Sequence, residues 1–286
     1  MDITKLKVYK DNSKPVIKIG NLVVGADKLI IAGPCTINNK EELISLAKEL
    51  KKLGVNVLRG GAFKPRTNPY SFQGLEEKGI EYLIEAKKVT GLPIISELTS
   101  LKYLDLFIQN VDIIQIGSKN MFNYELLKAL GKTNKVILLK RSMSATYEEW
   151  LNAAEYIMQG GNSNIILCER GIRTFETETR NTLDLQAIPV MKNYTNLPII
   201  VDPSHAAGKR YIVKSMALAA IAAGADGIMV EASCNPETEI CDSNQTINLE
   251  NLNSIIQTTK SLLWGRLFMS YFYRWDYDLK VYKQGI

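Results

Sequence analysis

The sequence predicts one α/β domain closed into a (β/α)8 TIM barrel, with a short N-terminal β-hairpin before it and a C-terminal aromatic-rich tail after it. Short runs rich in Val, Ile and Leu recur eight times, each followed by a polar loop and a helical pattern. That order is the signature of parallel strands buried on both faces and joined by crossover helices. All eight runs end in polar or Gly-rich residues, whereas a doubly wound open sheet would concentrate such ends at one switch point. At 286 residues, 46% of them hydrophobic, the chain is long enough to bury so large a core.

Taken in order, residues 1–28 precede the repeat. Within them, Val16-Ile17-Lys18-Ile19-Gly20-Asn21-Leu22-Val23-Val24-Gly25 alternates around a Gly-Asn pair, which predicts a hairpin capping the bottom of the barrel. The barrel is placed at 29–260, with strands at 29–32, 55–58, 93–96, 113–116, 136–139, 165–167, 198–201 and 227–230. Helical stretches include 39–53, with Asn39 as N-cap and Gly54 just past the end, 74–90 and 147–160. Residues 261–286 carry Trp264, Phe268, Tyr271, Phe272, Tyr273, Trp275, Tyr277 and Tyr282 among basic residues. An added helix on the barrel wall, a subunit contact and a membrane-surface helix all remain open readings of that tail.

Charge and cysteine usage narrow the function classes. The net charge of +5 comes from 35 basic and 30 acidic residues scattered along the chain with no polybasic arm. This suits an anionic small substrate better than a nucleic-acid surface. The start, Met1-Asp2-Ile3-Thr4-Lys5-Leu6-Lys7, lacks the apolar core of a signal peptide, and no stretch reaches the length of a membrane span, so a cytoplasmic protein is expected. Cys35, Cys168, Cys234 and Cys241 are too few for a disulfide framework in a chain this long, and a reducing compartment leaves thiols available for metal.

Barrel enzymes gather their chemistry at the C-terminal ends of the strands. The single histidine, His205, stands there in Val201-Asp202-Pro203-Ser204-His205. Cys35 follows the first strand, Glu231 follows the last, and Asp242 lies a short loop beyond. One sulfur, one nitrogen and two carboxylates suit a borderline divalent ion such as Mn, Fe, Co or Zn better than Mg or Ca. Separately each residue has an ordinary alternative: a buried thiol, a structural histidine, an ion-pair partner, a helix cap. Arg59, Lys64, Arg66, Lys119, Lys140, Arg141, Arg170 and Arg173 also fall at strand ends. So many cations in one cavity repel one another unless a multiply charged anion sits among them, so phosphorylated substrates are expected. The most specialised loop is 58–74, whose Gly60 and Gly61 allow close backbone approach while Lys64, Arg66 and Thr67 offer phosphate donors. It lacks the spacing of a Walker loop.

The segments Ala32-Gly33-Pro34-Cys35, Arg59 to Gly74, Ile116-Gly117-Ser118-Lys119-Asn120-Met121, Leu139-Lys140-Arg141, Cys168-Glu169-Arg170-Gly171-Ile172-Arg173-Thr174-Phe175, Asp202-Pro203-Ser204-His205 and Val230-Glu231 form a specific set. Together they resemble the 3-deoxy-D-arabino-heptulosonate 7-phosphate (DAHP) synthases. The likeness is to the short type I group, which is related to the 3-deoxy-D-manno-octulosonate 8-phosphate (KDO8P) synthases. It runs from about Val16 to Lys260.

The resemblance implies condensation of phosphoenolpyruvate with erythrose 4-phosphate, the first step of the shikimate pathway to aromatic amino acids. It implies a divalent metal on Cys35, His205, Glu231 and Asp242. It also implies phosphoenolpyruvate contacts from Arg59, Lys64, Lys119, Lys140 and Arg170, erythrose 4-phosphate contacts from Lys64, Arg66 and Thr67, and a homotetramer. Lys64 is then the candidate proton donor to the aldehyde oxygen and Glu97 the candidate for positioning or deprotonating water; with Cys35 and His205 they make up the candidate catalytic set. Lys64-Pro65-Arg66-Thr67 sides with the seven-carbon product, since the eight-carbon synthases carry Lys-Ala-Asn-Arg there. Asn68 departs from the usual serine, and Ala232-Ser233-Cys234 from the familiar Val-His-Pro. Neither of the regulatory or chorismate mutase domains fused in many relatives is expected. The rival readings are a KDO8P or sialic-acid-type synthase and a barrel that binds phosphosugars without catalysis.

Overall fold

The structure, a computed structural model, describes residues 5–9, 15–66 and 68–262. Thr67 and the aromatic positions from Trp264 onward lie outside the described residues. Hairpin strands β1 (Lys18–Ile19) and β2 (Leu22–Val23) pair antiparallel. Eight further strands follow: β3 (Leu29–Gly33), β4 (Val57–Arg59), β5 (Ile94–Glu97), β6 (Ile113–Ile116), β7 (Val136–Lys140), β8 (Ile165–Glu169), β9 (Ile199–Val201) and β10 (Gly227–Glu231). They pair in parallel in sequence order, and β10 closes on β3 through the register Gly227↔Leu29 to Glu231↔Gly33.

The two-residue period of a strand explains why every run is apolar throughout. Leu29, Ile31, Val57, Ile95, Ile113, Leu138, Ile166, Cys168, Ile200 and Met229 point inward and fill the barrel. Their neighbours Ile30, Ala32, Leu58, Ile94, Ile114, Ile137, Leu139, Ile165, Leu167, Ile199, Ile228 and Val230 face the surrounding helices. Ile17, Ile19 and Val24 complete the interior cluster, so the hairpin plugs the barrel at its strand-start end. Residues 5–9 take another route: Val8 joins the outer core and its amide donates to Glu155 Oε2 at 3.0 Å.

The α-helices that cross between strands are α1 (Lys40–Leu53), α2 (Glu77–Thr90), α3 (Leu104–Asn110), α4 (Tyr124–Gly131), α5 (Tyr147–Gln159), α6 (Ala187–Tyr194), α7 (Pro203–Ala207) and α8 (Arg210–Ala222), with helical residues 249–262 after β10. Asn39 caps α1 through the Glu42 amide, and Gly54 ends it in the left-handed conformation, as the sequence predicts. A capping box between Thr146 and Glu149 starts α5.

Helix α2 starts three residues later than the 74–90 pattern predicts. Gly74 (φ 98°) and Glu76 (φ 52°) both have positive φ, which interrupts a right-handed helix. A Cβ on Gly74 would stand 2.2 Å from the Ala62 carbonyl oxygen, so the loop closes on itself here before the helix begins. The Lys64 and Glu76 amides donate to the Gln73 and Ala62 carbonyls at 2.8 Å each, which ties the loop carrying Lys64 down against its own return strand.

Candidate active site

The pleat that fills the barrel also aims the last side chain of several strands into its mouth. Arg59 ends β4, Glu97 ends β5, Lys140 ends β7 and Glu231 ends β10, while Cys35 and Asp202 stand just beyond β3 and β9. Asp202 then caps α7, its Oδ1 accepting from the His205 amide at 3.0 Å, with Pro203 at the first helical position. That turn swings the imidazole back over the barrel.

Four side chains converge there. The ligand atoms of Cys35, His205, Glu231 and Asp242 all lie within 4.8 Å of one another. Cys35 Sγ is 3.0 Å from Asp242 Oδ2, and His205 Nε2 is 3.3 Å from Glu231 Oε1. Bonds of about 2.0–2.3 Å from one ion to S, N and O set a span of roughly 4–4.6 Å for atoms on opposite sides of it. The cluster is within a few tenths of an ångström of that size. Sulfur, imidazole and carboxylates in one buried group fit a borderline divalent ion.

Cations hold these acids in place. Arg59 donates to Glu231 Oε1 at 2.8 Å, and Lys64 Nζ lies 2.6 Å from Cys35 Sγ and 3.4 Å from Asp242 Oδ2. Burial acts to raise the Glu231 carboxyl, yet His205, Arg59 and Lys64 together hold it well below the usual carboxylate range. Burial and then Glu231 push the Cys35 thiol up, against the pull of Lys64. Burial works against the Lys64 charge, but Cys35, Glu231 and Asp242 more than restore it and raise its pKa. The imidazole of His205 is driven down to about 4 by burial, with Asp202 and Glu231 opposing, so it is neutral near pH 7, as a metal ligand must be.

Above the cluster opens a cleft of about 350 Å³, lined by Lys64, Arg66, Lys119, Lys140, Arg170 and Arg180 with only Glu97 and Asp242 as acids. Its floor is a smaller chamber reaching Cys35, Arg59, Gln115 and Glu97. Lys119 is exposed and donates to the Pro65 carbonyl at 3.2 Å, joining the turn after β6 to the loop after β4. Glu97 accepts from Gln115 Nε2 at 3.0 Å. Of the sequence-derived candidates among the described residues, Cys35, Arg59, Lys64, Arg66, Glu97, Lys119, Lys140, Arg170, His205, Glu231 and Asp242 share this cluster and cleft.

Two of the strand-end cations belong elsewhere. Arg141 turns away from the mouth: it donates to Glu169 Oε2 at 3.0 Å and Asp184 Oδ2 at 2.8 Å and stacks on the Tyr147 ring at 4.6 Å. Two carboxylates and an aromatic face outside the barrel satisfy it better than a cleft already full of cations. Arg173 is exposed and does not line the cleft, although its backbone amide donates to the carbonyl of Met143, which does. Cys241 is buried beside Asp242 and Cys234 is exposed, so only Cys35 contributes sulfur to the cluster.

Sequence reasoning gave no role to three residues that hold the site together. Asp202 Oδ2 takes His205 Nδ1 at 2.7 Å and Lys140 Nζ at 2.5 Å. Burial acts to raise its carboxyl, yet His205 and Lys140 hold it well below the usual range. Its spacing of three before the only histidine is a helix-cap signal that marks it in retrospect. Arg180 and Gln245 carry no such signal, since their partners lie 62, 65 and 14 residues away.

Comparison with known proteins bears on the chain as a whole. The DAHP synthetase I family matches residues 7–264. A phospho-2-dehydro-3-deoxyheptonate aldolase of Thermotoga maritima is 49% identical over 264 residues, 90% of this chain and 78% of that protein. A 2-dehydro-3-deoxyphosphooctonate aldolase of Geobacter sulfurreducens is 29% identical, over 86% of this chain and 97% of that protein. The crystal structure of the phospho-2-dehydro-3-deoxyheptonate aldolase (DAHP synthase) from Thermotoga maritima superposes with a TM-score of 0.87 at 46% identity, covering 91% of this chain and 78% of that one. A truncated form of 3-deoxy-D-arabino-heptulosonate 7-phosphate synthase from the same organism superposes at 0.82 with 45% identity, covering 88% of this chain and 93% of that one.

Proposed function

The chain belongs to the DAHP synthetase I family, and from that premise we propose that its cleft condenses phosphoenolpyruvate with D-erythrose 4-phosphate and water, giving DAHP and phosphate, with the help of a divalent metal. The observation that carries this reading is a cluster of one thiol, one imidazole and two carboxylates beneath a rim of six cations. Mn, Fe, Co or Zn on Cys35, His205, Glu231 and Asp242 would supply Lewis-acid polarisation of the aldehyde.

The chain's own groups do the rest. Arg59, Lys64, Lys119, Lys140 and Arg170 neutralise the carboxylate and phosphate of phosphoenolpyruvate and fix carbon 3 against the aldehyde, which lowers the entropic part of the barrier. Arg66, next to the Pro65 carbonyl that Lys119 holds, takes the phosphate of the four-carbon sugar, with Thr67 assigned to the same phosphate by the family resemblance. Carbon 3 attacks the carbonyl carbon, and Lys64, kept charged by its acidic neighbours, gives a proton to the developing alkoxide, the stronger base. Positive character is left on carbon 2, where water held by Glu97 adds and gives up one proton to that carboxylate; phosphate then departs from that carbon with the enol oxygen as the new hydroxyl loses its remaining proton and becomes the ketone oxygen. A homotetramer in the cytoplasm completes this reading. Among the described residues, no helix is long and apolar enough to cross a membrane.

The test is direct. Metal-reconstituted protein is incubated with phosphoenolpyruvate and either erythrose 4-phosphate or arabinose 5-phosphate, with enol absorbance and phosphate followed with and without EDTA. Consumption with the four-carbon sugar alone, abolished by EDTA and restored by added metal, is expected. Use of the five-carbon sugar moves the assignment to KDO8P synthesis, activity insensitive to EDTA removes the metal, and no consumption with either sugar leaves a phosphosugar-binding barrel.

A further inference from the structure

Resting on the reading that the cluster holds a divalent cation, we infer that Arg180 and Gln245 are a positioning pair that fixes which oxygen of each carboxylate ligand faces that cation. Each carboxylate has an inner and an outer oxygen. The inner oxygen of Asp242, Oδ2, faces Cys35 Sγ and Lys64, and the inner oxygen of Glu231, Oε1, faces His205 Nε2 and Arg59. The outer ones are occupied from behind. Arg180 donates through one nitrogen, Nη1, to Asp242 Oδ1 at 3.2 Å and to Gln245 Oε1 at 3.1 Å, and Gln245 Nε2 donates to Glu231 Oε2 at 2.6 Å.

The chain of bonds has a fixed polarity. A guanidinium can only donate, so Arg180 selects the oxygen of the Gln245 amide and turns its NH2 toward Glu231. A reversed amide would put oxygen against carboxylate oxygen and NH2 against guanidinium, losing both bonds. Gln245 is 2% exposed, so no solvent route compensates for that loss. Asp242 gains from such support for a further reason: its φ of 55° is in the left-handed region, which side chains bearing a Cβ rarely adopt. The Gln245 and Thr246 amides hold its carbonyl at 3.1 and 3.2 Å, and Arg180 fixes its side chain.

Arg180 is itself anchored to the segment that carries the histidine ligand. The Arg180 and Asn181 amides donate to the Ala207 and Ala206 carbonyls at 3.1 and 2.8 Å, and Asn181 Nδ2 donates to the His205 carbonyl at 3.2 Å. Gly208, at φ 67°, lies against the same loop, and a Cβ there would meet the Arg180 Cβ at 2.6 Å. The loop after β8 thus links the histidine segment to both carboxylates. With the outer oxygens engaged, each carboxylate presents one oxygen inward.

The experiment titrates Co²⁺ and Mn²⁺ into metal-stripped protein by calorimetry and records the visible Co²⁺ spectrum, without substrate, for wild type, Arg180→Met, Arg180→Lys, Gln245→Met and the double variant. Metal affinity is expected to fall about 10–100-fold in each Met variant with an altered Co²⁺ spectrum, while the metal-free melting temperature of Arg180→Met stays at the wild-type value. Arg180→Lys, which keeps a donor to Asp242, recovers part of the affinity. Gln245→Met in the Arg180→Met background adds less than it does alone, because the two act through one chain of bonds. Affinities within twofold of wild type and superimposable spectra overturn the inference. Gln245 is buried, so the half-exposed Arg180 decides the matter if Gln245→Met does not fold. Wild type that binds neither ion overturns the metal reading itself, a different outcome from wild type and variants binding equally.

Discussion

Asp202 holds the Nδ1 edge of His205 at 2.7 Å, and that one bond leaves Nε2 turned toward Glu231. The same carboxylate oxygen carries Lys140 at 2.5 Å, so a group that lines the substrate cleft and a group of the metal cluster share a fully buried anion. Orientation of an imidazole from behind by a carboxylate fixes its tautomer and its basicity.

Asp202→Asn is therefore expected to weaken metal binding about 10–100-fold and to lower kcat at saturating metal. Loss of the buried Lys140 ion pair destabilises the fold by about 3–5 kcal/mol. A metal titration beside a chemical denaturation curve separates the two effects. Unchanged metal affinity with lowered stability would reduce Asp202 to a structural ion-pair partner.

Lys64 touches the thiol at 2.6 Å and lines both the cleft and its floor. Lys64→Met is expected to lower kcat by about 10²–10⁴-fold at saturating levels of both substrates, beyond any rise in KM. A variant that lost only affinity and kept its turnover would show that the ammonium binds substrate and donates no proton.

Gly117 offers a way to move Glu97 without replacing it. A Cβ at position 117 would lie 2.1 Å from Glu97 Oε1, the far end of a flexible side chain, so Gly117→Ala folds normally while the carboxylate is pushed aside. Turnover is expected to fall by at least tenfold with the melting temperature nearly unchanged. Wild-type kcat in Gly117→Ala would remove Glu97 from the hydration step.

Tyr147 links the outer network to alkaline stability. Its hydroxyl donates to Asp184 Oδ2 at 2.7 Å, and burial followed by that bond pushes its pKa from 10 to about 12. Between those values the folded chain keeps a proton that the unfolded chain has lost, so stability is complete below pH 10 and declines as pH rises toward 12. Melting temperatures measured across this window should fall less steeply for Tyr147→Phe than for wild type. Parallel slopes would show that Tyr147 contributes nothing to the decline.

Particular residues show how far the sequence reaches. The alternation of Leu29, Ile31, Val57 and Met229 with Ile30, Leu58 and Val230 makes both faces of each strand apolar, which requires a parallel sheet covered on both sides, and the polar ends of all eight runs select the closed barrel over an open sheet. Asn39 and Gly54 bound their helix through bonds to residues within five positions. Once the barrel is given, Cys35, His205 and Glu231 fall at its mouth because the ends of parallel strands share one rim. What remained hidden was the direction of long side chains. Arg59 and Arg141 both stand at strand ends, yet one turns in to Glu231 and the other out to Glu169 and Asp184.

By itself, then, the sequence determined the eightfold repeat, the capped helices and the rim on which the chemistry stands, because these rest on periodicity and on bonds between near neighbours. Only the tertiary structure decided that Asp202 braces His205 while holding Lys140, that Arg141 leaves the cleft, and that Arg180 reaches Asp242 and Gln245. Most of those bonds join residues dozens of positions apart whose long side chains have several rotamers each, and only the packed loops choose among them.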